Sequence, residues 1–180
     1  MTHNSPGIEA LERRVQVMED KWEILALLSA YGPAVDSGSA ETAASLWLTD
    51  GVYDVDSGTL RGHSDLVDMI KGEQHQSFIM NGAAHMMSTP SIELDGDTAV
   101  VTGHTQLITR VPDTAAEFRV LRITANRWEL VRTGGQWRVS RRVGRLLDGR
   151  ADARKLLGAG ANADADPTSD SPSERDPDRN

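Results

Sequence analysis

Asp36 and His85 are the residues of this chain with the types and setting to move a proton. The 180 residues include five histidines and no cysteine. Disulfides, thiolate nucleophiles and Cys-ligated zinc are thereby excluded, and chemistry falls to His, carboxylate, hydroxyl or Arg. His85 and His104 lie in predicted strands, whereas Asp36 closes an apolar helix after Tyr31-Gly-Pro-Ala-Val. A carboxylate there can reach a ring nitrogen of His85, hold one tautomer and leave the other nitrogen as a base. The same residues also admit a structural role, Asp36 capping the next turn and His85 sitting as a satisfied core or edge histidine. His63 and His75 flank a predicted helix, but no H-x-x-x-H or H-x-E-H spacing links the histidines, so no metal site is expected. Met80, Met86 and Met87 surround His85 and serve either as core filler or as an adaptable apolar wall, one that suits a polycyclic or terpenoid-sized ligand.

The elements that must position this pair begin with a long helix. Ile8, Leu11, Val15, Met18, Trp22 and Leu25 recur at alternating spacings of three and four. That is one apolar stripe of a helix running to about Tyr31, packed on the domain's own sheet or on a dimer partner. Gly32-Pro33 is expected to perturb it before Asp36. Ser39 is placed to cap a second helix from Ala40 to about Leu48, and Asp50-Gly51 to turn the chain into a short strand over 52–55. A third helix starts at His63 or Ser64 and ends near Gly72. From about residue 83 the chain reads as an antiparallel meander with turns at Asp95-Gly96 and Gly134-Gly135. Helices first and long strands after argue an α+β domain over 8–157, with about three N-terminal helices on one face of a strongly curved, mainly antiparallel sheet. Residues 1–7 and the Ala, Asp, Pro and Ser-rich tail over 158–180 are expected to be disordered.

Strand parity raises two difficulties. Counting by twos from Leu94 and Ile92 places Met86, rather than His85, on their face unless Pro90 marks a bulge, which is expected. Arg142 shares parity with Ser140 and opposes Trp137 and Val139, so by the same count it cannot face their layer.

The formal charge of −8 is unevenly distributed. Six acids against two Arg lie in residues 160–180, while ten Arg against four acids lie in 110–150. Those Arg are spread along strands without interleaved aromatics, which reads as a solvated sheet face rather than a nucleic-acid surface. No apolar run approaches the roughly 20 residues of a membrane helix, and the start lacks a basic segment followed by an apolar one. A soluble cytoplasmic protein without nucleic-acid or membrane partners is expected.

The order Tyr31-(x4)-Asp36-Ser-Gly, Leu46-Trp47-Leu-Thr-Asp50-Gly51-Val-Tyr53, His85-(x4)-Pro90, Gly96-Asp97-Thr-Ala and Gly135-Gln-Trp137-Arg-Val-Ser-Arg-Arg142 resembles the SnoaL-like family over about residues 8–148. Its relatives include scytalone dehydratase, bile-acid 7α-dehydratase, hexachlorocyclohexane dehydrochlorinase and polyketide cyclases. The resemblance implies a cone-shaped α+β barrel of the nuclear-transport-factor-like kind. It also implies a cofactor-independent dehydratase-like lyase or isomerase in which His85 is the general base and Asp36 its orienting partner. By the same resemblance Arg142 stabilises a leaving anion and Tyr53 hydrogen-bonds a carbonyl or water. Tyr31 stands where the dehydrochlorinase has lysine, which points away from dehydrochlorination. His104 resembles a second histidine of scytalone dehydratase at a different offset, and Asn126 is expected to line the pocket with Tyr31, Trp47 and Met87. The substrate implied is an apolar, carbonyl-bearing molecule of steroid, terpenoid or polyketide type, and the protein a homodimer or higher homo-oligomer. Alternatives of the same fold are a non-catalytic ligand-binding or assembly module and a polyketide-type cyclase.

Overall fold

A computed structural model of the chain describes residues 6–114 and 116–161. Five helices and seven strands follow in the order α1 (Pro6–Asp36), α2 (Ala40–Ser45), β1 (Trp47–Val55), β2 (Gly58–Arg61), α3 (Gly62–Lys71), α4 (Glu73–Asn81), β3 (Ala83–Met87), β4 (Ser91–Asp95), β5 (Thr98–Arg110), β6 (Phe118–Thr133), β7 (Gln136–Leu146) and α5 (Ala151–Ala161). The sheet runs β2-β1-β7-β6-β5-β3, with β4 also paired to β5. Its pairs are antiparallel except β1 with β7, which are parallel. The curved sheet with its helices is a cone-shaped α+β fold. Its core joins Ile24, Leu28 and Val35 of α1 and Leu66 and Ile70 of α3 to Val101, Trp128, Leu130, Trp137 and Val139 of the sheet.

Several elements differ from the sequence expectation, each for a local reason. Helix α1 continues through Pro33 to Asp36. In the last turn a proline forfeits one helical hydrogen bond, and burial of Ala34 and Val35 holds the rest. Ser39 makes no side-chain capping bond; its hydroxyl lies 2.9 Å from that of Ser37. Helix α2 stops at Ser45, and β1 begins at Trp47, opposite Val139 of β7. Asp50-Gly51 therefore falls within β1, at the register shift between Trp47 and Val52.

Helices α4 and α5 are short, nine and eleven residues, and their apolar faces span too few turns to stand out as a period. The second runs past the expected boundary at Leu157 because Ala153 and Gly160 are buried against the sheet. A Cβ at Gly160 would stand within 2.4–2.7 Å of the Thr102 side chain, so the bare glycine permits the close approach. Likewise residues 6 and 7 belong to α1; the remainder of the expected disordered ends, 1–5 and 162–180, lies outside the described residues. Among the described residues no helix is long and apolar enough to cross a membrane.

Two one-residue bulges settle the parity problems. Between Met87↔Thr105 and Ser91↔Thr102 the β3–β4 chain takes four steps where β5 takes three. His85, Ile92 and Leu94 therefore share one face, as the expected bulge near Pro90 requires. Between Glu129↔Arg141 and Leu130↔Val139, β7 takes two steps where β6 takes one. The extra residue is Ser140, whose hydroxyl donates to the Glu129 carbonyl at 3.0 Å. This second bulge overturns the parity argument for Arg142, turning it inward on the same face as Trp137 and Val139, with 6% of its surface exposed.

Candidate active site

The last residue of α1 meets the edge strand β3 side-on. The His85 backbone N–H, on the unpaired edge of the strand, donates to Asp36 Oδ2 at 2.7 Å, and His85 Nδ1 lies 2.6 Å from Asp36 Oδ1. A carboxylate at a helix C-terminus faces the negative end of the helix dipole, and these two donors offset that setting. With Nδ1 carrying the proton toward Asp36, the second ring nitrogen is left unprotonated and basic. The approach depends on Gly32, where a Cβ would stand 2.6 Å from the His85 carbonyl oxygen.

His85 lines a cavity of about 90 Å³ together with Tyr31, Val35, Tyr53, Met69, His75, Thr105, Leu107, Arg122, Thr124 and Arg142. Arg142 is caged by aromatic faces, its guanidinium carbon 4.2 Å from the Trp128 ring centroid, 4.5 Å from Tyr53 and 5.4 Å from Tyr31. Its Nε donates to Asn126 Oδ1 at 2.8 Å. Among the described residues no carboxylate pairs with it. A permanent cation held this way presents its charge to the cavity. Burial pushes the Tyr31 phenol up to about 12 against the pull of Arg142, so it remains a neutral donor.

Of the expected site residues, His85, Tyr31, Tyr53 and Arg142 line this cavity, and Asp36 is joined to it through His85. The others do not reach the cavity. Asn126 is fully buried behind Arg142, where its amide nitrogen donates to Thr105 Oγ1 at 2.8 Å and to the Thr124 carbonyl at 3.0 Å. Trp47 is core, its ring 6.2 Å from Tyr31 and 6.0 Å from Tyr53. Met87 lines a groove of about 360 Å³ between α1 and β3, on the other side of the pair, which Asp36 and His85 also line. His104 is exposed on the opposite face of β5 from Thr105, because neighbouring strand residues point to opposite sides.

Two cavity residues carried no usable signal in the sequence. His75 of α4 stacks on His85 with ring centroids 5.5 Å apart and planes inclined by 8°. Its Nε2 is buried without a hydrogen-bond partner among the described residues, and burial, reinforced by His85, lowers its pKa. Arg122 reaches the cavity with Nε on Thr124 Oγ1 at 3.0 Å and Nη2 on Asp56 at 2.5 Å. Neither stands at a motif spacing from Asp36 or His85. The expected solvated Arg face resolves into ion pairs as well, with Arg141 and Arg145 on Asp54 and Arg132 on Asp20 and Asp97.

The SnoaL-like domain family matches residues 16–143. No curated protein matches the chain. An NTF2-like protein with a cystatin-like fold from Novosphingobium aromaticivorans is 37% identical, with a TM-score of 0.80 over 86% of this chain and 99% of its own. A hexachlorocyclohexane dehydrochlorinase, LinA-type3, from Novosphingobium barchaimii is 18% identical, with a TM-score of 0.64 over 74% of this chain and 90% of its own. A protein from Catenulispora acidiphila in complex with S-DNPA is also 18% identical, with a TM-score of 0.62 over 77% of this chain and 98% of its own. The last two likenesses are of fold.

Proposed function

We propose that this chain, which belongs to the SnoaL-like domain family, is a cofactor-independent lyase or isomerase that uses Asp36 and His85 to take a proton from carbon. The observation that carries the reading is the double contact of the Asp36 carboxylate with His85, in a cavity that also holds the cation of Arg142. The substrate is a small molecule with a carbonyl oxygen. His85 Nε2 removes a proton α or vinylogous to that carbonyl, and the C–H electron pair moves into the conjugated system as an enolate. Asp36 stabilises the imidazolium so formed, while Arg142, Tyr53 and Tyr31 receive the oxyanion. In a lyase the enolate expels a β leaving group such as hydroxide, which departs as water with a proton from the site. In an isomerase the imidazolium returns the proton to another carbon.

The volume of about 90 Å³ lies below the roughly 300–1,000 Å³ of drug-sized sites. A small substrate fits there directly, whereas one of steroid, terpenoid or polyketide size has room in the groove of about 360 Å³ that Asp36 and His85 also line. The test is deuterium exchange from solvent into a panel of ketones and hydroxyketones. Exchange that is lost in His85→Ala supports the reading; equal exchange in both proteins would sink it. The compact cavity also favours a second reading, a binding or assembly module of the same fold, for which ligand binds wild type without any exchange or turnover.

A further inference from the structure

Helix α1 has apolar residues on two opposite sides. One side, with Ile24, Leu28, Tyr31 and Val35, is buried in the domain. The other carries Ile8, Leu11, Val15, Met18 and Trp22, all exposed, Met18 by 69% and Trp22 by 72%. At about 100° per residue, Trp22 and Ile24 point some 200° apart. Packing on the protein's own sheet therefore leaves this stripe uncovered. Over residues 6–19, Ala10 alone is even half-buried, so almost four turns of helix stand without tertiary support. A free helix of that length is marginal in water.

We propose that two copies of this chain associate through these segments of α1 as a parallel, two-stranded coiled coil. The spacing 8, 11, 15, 18, 22 alternates three and four, the repeat of a coiled-coil seam. Ile8, Val15 and Trp22 occupy one set of seam positions and Leu11 and Met18 the other; among parallel coiled coils, β-branched residues such as Ile8 and Val15 in the first set favour two strands. Charge sets the direction independently. Arg14 and Lys21 border one edge of the stripe, and Glu12 and Glu19 the other. In a parallel pair Arg14 faces the partner's Glu19. In an antiparallel pair basic edge meets basic edge and acidic meets acidic, which opposes assembly. The stripe also runs on into an apolar groove of about 290 Å³ between Trp22, Leu25, Pro90 and Ile92, continuing the surface the partner helix covers.

The chain contains no cysteine, so one introduced thiol reports the geometry unambiguously. In the parallel pair Leu11 meets its own copy, and Leu11→Cys should oxidise to a disulfide-linked dimer. In an antiparallel pair each seam set faces the partner's other set, so Leu11→Cys would not join its own copy, whereas a mixture of Val15→Cys with Leu11→Cys or Met18→Cys chains would cross-link. Light scattering on the full chain at tens of micromolar should give a dimer, and Met18→Glu with Trp22→Glu a folded monomer by circular dichroism. Arg14→Glu should raise the dissociation constant several-fold, and adding Glu19→Arg should restore it. A monomeric or trimeric wild type, a dimer that survives Met18→Glu with Trp22→Glu, or no cross-link at Leu11→Cys would overturn the proposal.

Discussion

Asp36 holds His85 at two points, one carboxylate oxygen 2.7 Å from the strand N–H and the other 2.6 Å from the ring. The first contact fixes where the strand edge stands relative to the end of α1, and the second fixes the ring that this edge carries. Backbone placement and tautomer therefore depend on a single side chain.

Asp36→Asn should accordingly lose more than a charge. The amide has one oxygen for two donors and turns its NH₂ toward one of them. Exchange or elimination should fall about 10²–10⁴-fold, the usual contribution of a positioned base, mainly in kcat. An unchanged kcat would remove Asp36 from the machinery.

Gly32→Ala probes the same junction from the helix side. Its Cβ would meet the His85 carbonyl oxygen at 2.6 Å, a backbone atom that yields only if β3 moves. The expected cost is about 1–3 kcal/mol in urea unfolding, with activity lost beyond what that destabilisation explains. Wild-type stability and rate would mean that strand and helix separate freely.

Arg142→Lys should fail to rescue function although it keeps the charge. The guanidinium lies over Trp128 and Tyr53 while its Nε donates to Asn126 and its Nη groups stay free for the cavity, and a compact ammonium cannot fill all three roles from one position. Loss of one oxyanion donor costs about 10²–10³ in kcat, and Arg142→Lys and Arg142→Met should fall within the same range. Full activity in the lysine variant would show that charge alone suffices.

His75 makes stability depend on pH. Burial first, and His85 second, hold its imidazole below the ordinary value of 6.5. The unfolded chain then binds a proton that the folded chain refuses. The corresponding stability is complete above about pH 6.5 and drains away as pH falls toward the depressed value. His75→Phe, also aromatic, should show a smaller drop in Tm between pH 7.5 and 5.5 than wild type. Identical pH slopes in the two proteins would reject this assignment.

The helical stripe, the Asp95-Gly96 and Gly134-Gly135 hairpins and the order of Asp36 and His85 were legible because each is a local pattern with a local cause. Periodicity reports which face of an element is apolar, and an Asp-Gly or Gly-Gly pair reports where backbone can reverse. His104 and Arg142 show where this legibility stops. Both sit on strands, and whether a strand residue points inward depends on every bulge between it and a known reference. The bulge near Pro90 had a marker in the sequence; the one at Ser140 had none.

By itself, the sequence determined that an aspartate closes an apolar helix and a histidine stands on a strand, that the sheet is built from hairpins, and that the first helix carries a heptad stripe. Tertiary structure decided that Arg142 enters the cavity while His104 stays out, that His75 stacks on His85, and that the stripe on α1 faces away from its own domain. The reason is physical: residue type and period are properties of a segment, whereas facing, stacking and burial are properties of pairs of segments. A one-residue bulge, worth one extra hydroxyl bond at Ser140, exchanges the two faces of everything beyond it.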